Sequence, residues 1–288
     1  MIYGLGTQPV RLNPITQPDI VSRWAIELVF DGLVDVDDHL ELVPALATSW
    51  ETSPDGLSLT FHLRRGVQWH DGQPFTSADV KFTYDTIRDP KGAPTVAKSD
   101  YASIADIETP DEGTVIFRLA QADASLPSKL TTGIAPRHLL EGQDLATTSF
   151  NRQPVGTGPF RLASWQSDQR LTFLANRDYF GGRPRLERIV WEIVPDSSSL
   201  SLQLLSGELD GPGITAPQDL RRLRAEPDLA VYPVLGGNVQ ISLQLENPLF
   251  RDRQVRQALA YALDKKAMVE KLMGDAGTIA TSDILPVS

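Results

Sequence analysis

The chain has 288 residues, 41% of them hydrophobic and 22% charged, which is enough to bury one large core or two to three small ones and excludes a disordered or fibrous chain. A formal net charge of −10 argues against nucleic acid or anionic lipid as a partner, since both need basic surface. The absence of cysteine excludes disulfides, thiolate metal sites and cysteine nucleophiles, without fixing the compartment.

The opening "MIYGLGTQPVRLNP" has neither the charged start nor the apolar stretch of a signal peptide, and no window is apolar enough for a membrane span. In "DIVSRWAIELVFDGL", Val21, Trp24, Ala25, Leu28, Val29 and Leu33 recur at helical spacing, with Asp19 or Ser22 available as N-cap. Next, "GLSLTFHLRRGVQW" sets Leu57, Leu59, Phe61 and Leu63 against Ser58, Thr60, His62 and Arg64, the period of a strand with one buried face. A hairpin follows in "ASIADIETPDEGTVIFRLA", where "PDEG" supplies the turn. Residues from about 41 to 155 thus read as β-hairpins with short helices.

From Gly156 the pattern changes. The runs "GPFRLASW", "RLTFLAN", "RIVWEIVP" and "NVQISLQLE" are strand-like, and helical stretches lie around 200–205 and 220–224, which predicts a mixed α/β sheet. "RIVWEIVP" is apolar on both faces, as a central strand would be. "VQISLQLE" alternates Val239, Ile241, Leu243 and Leu245 with Gln240, Ser242, Gln244 and Glu246, leaving one face for solvent or ligand. Asp252 can cap "RQVRQALAYAL", whose Val255, Leu259, Ala262 and Leu263 have the spacing of a core-packing helix, and Asp264 can cap "KKAMVEKLM", which stops at Gly274.

The chemistry-bearing motifs are few. None of His39, His62, His70 and His138 stands in a helical metal pair, and neither a GxSxG elbow nor a phosphate loop occurs. "GTGPFR" carries Pro159 where a dinucleotide fingerprint needs helix, so Gly156, Gly158 and Pro159 read as a backbone corner entering a strand. With 37 acidic residues, carboxylate pairs are too common to signal a glycosidase.

The stretch "RRGVQWHDGQPFTSADV", at 64–80, invites a catalytic reading of His70 and Asp71, but local structure accounts for it better. Asp71-Gly72 suits a tight turn, "TSAD" at 76–79 is a capping box ahead of Val80, Tyr84 and Ile87, and Trp69 continues the buried face of Val67. Arg64 and Arg65 read as solvated strand-end charges, and His70 as a side chain that braces the turn by a hydrogen bond.

The order of segments adds a resemblance. "LVPALATSWETSPDGLSLTFHLRRGVQWHDGQPFTSADVKFTYDTI" (42–87), "VGTGPFRLASW" (155–165), "ANRDYFGGRPRLERIVWEIVPD" (175–196), "LLSGELD" (204–210) and "NPLFRDRQVRQALAYALDKKAMV" (247–269) resemble, in the right order, the family 5 extracellular solute-binding proteins. These are the peptide, nickel and oligosaccharide receptors of bacterial ABC importers. The resemblance implies an α/β, periplasmic-binding-protein-like first lobe (type II, cluster C) with a mixed β-sheet, carrying an inserted small α+β domain.

By that likeness residues 1–40 and 156–283 form the first lobe, 41–155 the additional domain, and 284–288 the start of a hinge crossing. The second lobe and the returning segment have no counterpart in this sequence, and the chain alone is expected to bind ligand far more weakly than a two-lobed receptor. The implied protein is a monomer, not an enzyme, that needs no cofactor. It would be periplasmic or a cell-surface lipoprotein, carry a peptide or other small ligand, and meet ABC permease membrane subunits but no nucleic acid. A sensor or assembly role fits the same fold, and a hydrolase would need a catalytic cluster that no motif supplies.

Within the first lobe that the resemblance implies, two stretches are the candidates to face a ligand. One is the loop before the first helix, with Gln17, Asp19, Ile20 and Val21; the other is the "GGN" turn, with Gly237, Asn238 and Gln240. Glycine admits close backbone approach, and Asn238 and Gln240 offer donors and acceptors. A helix cap and a plain hairpin turn account for the same residues equally well.

Overall fold

A computed structural model describes residues 1–16, 19–89, 95–212, 217–231, 241–274, 277 and 279. The first half runs β1 (Ile2–Leu5), α1 (Ile20–Val29), β2 (Val34–Val36), β3 (Leu42–Pro44), β4 (Ala47–Thr52), β5 (Ser58–Leu63), α2 (Ser77–Arg88), β6 (Ile104–Asp111), β7 (Thr114–Leu119), α3 (Leu126–Lys129) and α4 (Arg137–Leu140). The second adds β8 (Phe160–Gln166), β9 (Arg170–Ala175), β10 (Arg188–Ile193), α5 (Ser197–Leu205), β11 (Gly211–Pro212), α6 (Pro217–Arg224), α7 (Pro248–Arg251), α8 (Arg253–Ala262) and α9 (Lys265–Met268). The chain forms two compact units, Met1–Pro195 with Leu209–Gly211, and Asp196–Glu208 with Pro212–Ser288.

The first unit holds a five-stranded sheet in the order β11-β1-β10-β9-β8. β10 lies in its middle, parallel to β1 and antiparallel to β9, and Ile189, Val190 and Trp191 are all buried, as its two-faced apolar run predicts. The Trp191 ring meets Phe173 edge-on at 5.1 Å. Against this sheet α1 lays Val21, Ala25, Ile26 and Val29, one helical stripe. The helix stops short of Leu33: Phe30 turns extended at φ −127°, and Leu33 reaches the core from the following loop, its N–H bonded to the Leu130 carbonyl.

A four-stranded antiparallel sheet, β4-β5-β7-β6, belongs to the same unit. Leu59, Phe61 and Leu63 of β5 are buried while His62 is exposed, the alternation read from the sequence. Asp111 pairs with Thr114, so Glu112-Gly113 is the two-residue loop of the β6–β7 hairpin. Helix α2 packs its buried Val80, Tyr84 and Ile87 onto this sheet, with Tyr84 and Phe61 both edge-on to Phe117. Trp50 stacks half-buried on Phe61, and Trp69 is buried in the core, as expected for Trp69.

In the second unit, carboxylate caps start α5, α8 and α9. Asp196 accepts from the Ser199 N–H, Asp252 from Gln254 and Asp264 from Ala267, and the last helical turn ends at Gly274 with φ +54°. Two expectations fail here. Residues 241–244 form no strand, and Ile241 and Leu245 are exposed; among the described residues nothing pairs with this segment, and a lone extended run gains no ladder hydrogen bonds. Helix α8 has the predicted amphipathic spacing but buries no residue: Leu259 and Leu263 are exposed and Val255 half-buried, because nothing among the described residues covers that face. No helix among the described residues is long and apolar enough to cross a membrane.

Candidate functional site

The loop that leads into α1 is unusually well buried for an irregular segment: Leu12, Asn13, Ile15 and Thr16 are all inaccessible. Buried backbone in a loop needs partners, and Asn151 supplies them. Its carbonyl accepts from the Leu12 N–H at 2.9 Å, its side-chain Oδ1 accepts from Asn13 Nδ2 at 3.0 Å, and its own Nδ2 donates to the Leu145 carbonyl at 3.0 Å. Asn13 Oδ1 in turn accepts from the Ile15 N–H at 3.1 Å. The approach to α1 is therefore clamped to the segment 145–151.

At the helix start Asp19 is the N-cap. Its Oδ1 accepts from the Ser22 N–H at 2.8 Å and its Oδ2 from the Ser22 hydroxyl at 2.5 Å. Ser22 Oγ then accepts from the Val10 N–H at 2.9 Å, tying the cap back to the incoming loop. Ile20 projects outward, 58% exposed, whereas Val21 is turned into the core at 6%. Of the residues proposed from the sequence, Asp19 and Ile20 thus lie at the surface of one helix N-terminus and Val21 serves packing. Gln17, Gly237, Asn238 and Gln240 lie outside the described residues.

The corner at 156–158 joins this helix to the first β-hairpins. Gly158 N–H donates to the Val29 carbonyl at 2.8 Å, and a Cβ on Gly158 would meet the Val29 carbonyl carbon at 2.5 Å, so only glycine fits under the end of α1. His70 grips the corner from the other side. Its N–H donates to the Gly156 carbonyl at 2.8 Å, its Nδ1 accepts from the Gly156 N–H at 3.3 Å, and its Nε2 lies 3.0 Å from the Gly158 carbonyl. Because Nδ1 accepts, the ring proton sits on Nε2 and the imidazole is neutral. Burial pushes its pKa below the ordinary value, against the smaller opposing effect of the Gly158 hydrogen bond.

Thr157, between the two glycines, donates its hydroxyl to Asp31 Oδ2 at 2.7 Å, and the Tyr179 hydroxyl donates to Asp31 Oδ1 at 2.8 Å. Burial raises the Asp31 pKa to about 6, outweighing these two hydrogen bonds. Arg64, expected as a solvated charge, instead places its guanidinium 5.1 Å above the Phe180 ring and is half-buried there; Arg65 is exposed as expected.

No His-Asp dyad forms at 70–71. Asp71 pairs with His138, whose Nε2 is 2.8 Å from Asp71 Oδ2, while its backbone makes the turn: Gly72 N–H donates to the Trp69 carbonyl and takes φ +86°. The capping box stands, with the Thr76 N–H donating to Asp79 Oδ2 at 3.0 Å, and Asp79 Oδ1 also accepts from the Arg137 N–H at 2.9 Å, joining α2 to α4. Among the described residues no three His, Asp or Glu side chains converge on a point where a metal could sit.

The family profile "Bacterial extracellular solute-binding proteins, family 5 Middle" matches residues 41–288. This chain belongs to that family. The oligopeptide-binding protein AppA of Bacillus subtilis is 30% identical over 302 aligned residues, covering all of this chain and 54% of its own length. Two solved relatives share the fold. DppA of Helicobacter pylori, an ABC transporter-associated periplasmic binding protein in complex with the peptide STSA, superposes with a TM-score of 0.89 at 26% identity, over 100% of this chain and 60% of its own. NikZ of Campylobacter jejuni, in complex with Ni(L-His), does so with a TM-score of 0.84 at 29% identity, over 97% and 56%. The chain spans about half the length of the curated relatives it matches.

These family members have the periplasmic-binding-protein fold that the order of motifs implied, and here its elements bring together residues that sequence reasoning did not connect. Asn13, Asn151, Asp31, Thr157 and Tyr179 stand far apart in the chain, and none lies in a chemical motif. The available signal was polarity next to apolar runs: Asn13 in "RLNP" and Asp31 in "VFDG" each follow residues that must be buried.

Proposed function

We propose that this chain is the ligand-facing first lobe, with its additional domain, of an extracytoplasmic receptor that delivers a peptide to an ABC importer. The observation that carries this reading is fold likeness along the entire chain to DppA, a periplasmic protein associated with an ABC transporter and bound to a peptide. On this reading residues 1–40 and 156–283 make the lobe, 41–155 the additional domain and 284–288 the start of the hinge; the protein acts as a monomer, in the periplasm or anchored at the cell surface, and performs no catalysis.

The mechanism asks little chemistry of the lobe. A receptor of two lobes shifts toward its closed state only if the ligand gains contacts in that state which the open state lacks. The lobe's part is a rigid, prepaid surface, and the start of α1 has that character: Asp19 is locked by Ser22, the loop before it is clamped by Asn151, and Ile20 is left exposed. Asp19 and Ile20, with Gln17, Gly237, Asn238 and Gln240, are the residues proposed to face the ligand, Ile20 through apolar contact and the polar ones through hydrogen bonds.

Thermal-shift titration with short peptides, nickel–histidine chelate and heme tests the reading. Peptides are expected to stabilise the protein, with Ile20→Asp weakening that effect at least ten-fold. Stabilisation by heme or the chelate alone overturns the peptide assignment, and no stabilisation by any of the three overturns ligand binding by this chain.

A further inference from the structure

Strand β8 is one edge of the five-stranded sheet, so half of its backbone N–H and C=O groups point away from β9. Residues of this strand line a groove of about 610 Å³, within the range of ligand clefts. Leu162, Ala163, Ser164 and Trp165 all line it, together with Arg152 and Pro154. Successive residues of a strand point to opposite faces. The register break between Leu162 and Ser164 interrupts that alternation, so four consecutive residues of the edge strand line one groove. Among the described residues, β9 is the only strand paired to β8.

Two side chains give the groove a chemical preference. The Arg152 guanidinium lies 3.9 Å over the Trp165 ring, and among the described residues its one polar contact is the Ser167 hydroxyl at 3.5 Å. Among the described residues it pairs with no carboxylate, although the protein carries a net charge of −10. Trp165 is held in place: its Nε1 donates to Gln8 Oε1 at 2.9 Å, and Gln8 Nε2 donates to Asp168 Oδ1 at 2.7 Å. The platform is thus fixed before anything binds, and the cation above it has free donors.

We propose that the β8 edge is a docking surface for an extended, acidic segment of a partner protein. The segment adds a strand beside β8, an acidic side chain takes the open face of the Arg152 guanidinium, and an apolar neighbour rests on Leu162 and Trp165. The register break at Ala163 shortens the straight run on either side, so the segment that fits is a few residues long.

Amide chemical shifts of the labelled chain, titrated with the hexapeptide Val-Glu-Val-Glu-Val-Glu, test this independently of the ligand reading above. The expected result is perturbation centred on residues 160–167, with at least ten-fold weaker binding of the Val-Lys counterpart and a similar loss in Arg152→Glu, an exposed position whose change leaves the core intact. Equal binding of the lysine peptide overturns the proposal, as does perturbation confined to residues 19–22, which would report the ligand surface instead. Shifts at 160–167 that depend on protein concentration without peptide also overturn it, since a second copy would then occupy the edge.

Discussion

Two titratable side chains hold the tripeptide 156–158 from opposite sides, and they respond to pH in opposite directions. Asp31 has its pKa raised from 3.8 to about 6 by burial. A raised pKa means that its favourable contribution is complete below about pH 4 and is lost as pH rises through about 6, at most about 3 kcal/mol across that window. Asp31→Asn stays neutral throughout, so the stability of the variant relative to the parent should improve between pH 4 and pH 7; urea melts of both proteins at the two pH values give the difference. A flat difference would mean that Asp31 is better solvated than its surroundings indicate. His70 has its pKa lowered, so its contribution is complete above about pH 6.5 and is lost as pH falls through the lower folded value. His70→Ala removes the ring contacts to Gly156 and Gly158 and should cost about 1–3 kcal/mol at neutral pH, less in acid, with ligand affinity nearly unchanged. The sequence showed that His70 lacked catalytic company. It did not show that the bracing bond reaches 88 residues along the chain, because a hydrogen bond between distant segments leaves no periodicity to read.

At the scale of elements, local patterning was a good guide wherever one segment carried its own instructions. The alternation in "SLTFHL" gave β5 and its buried face, "TSAD" gave the start of α2, "PDEG" gave the β6–β7 loop, and "RIVWEI" gave the central strand. It was a poor guide where the outcome depends on a neighbour, as at 241–246 and on the outer face of α8, whose patterns are those of buried elements but which are exposed. The corner "GTGPF" lies between these cases: its glycines signalled a turn, while the reason for glycine is α1, whose end presses on it. Gly158→Ala drives a Cβ against backbone of Val29 and should cost about 2–3 kcal/mol, whereas Gly6→Ala, where a Cβ meets nothing within 4 Å, should be close to neutral. Chemical denaturation of the two variants side by side separates close packing from a general effect of replacing glycine.

For the whole molecule, the division into two units has an energetic counterpart. The first unit contains the large apolar core, in which Leu12, Leu33, Phe61, Trp69, Tyr84, Phe117 and Phe173 are all inaccessible. In the second, among the described residues, Leu200, Leu204 and Leu223 are the buried apolar side chains, while Leu249, Tyr261 and Leu272 are exposed. Burial of apolar surface at about 25 cal/mol per Å² is the main term that offsets chain entropy, so helices that bury nothing rest on their backbone hydrogen bonds and caps alone. A ten-residue helix in that condition is marginal in water. Native-state hydrogen exchange should therefore show amides of β9, β10 and α1 opening only with global unfolding, while those of α8 exchange orders of magnitude faster, through local opening insensitive to low denaturant. Replacing Leu259 by Asn should leave the global unfolding transition in place, because that side chain contributes no packing to lose. If α8 instead exchanges with the protection of β10, its apolar face is covered in solution, and Leu259→Asn would then destabilise the protein as a core substitution does.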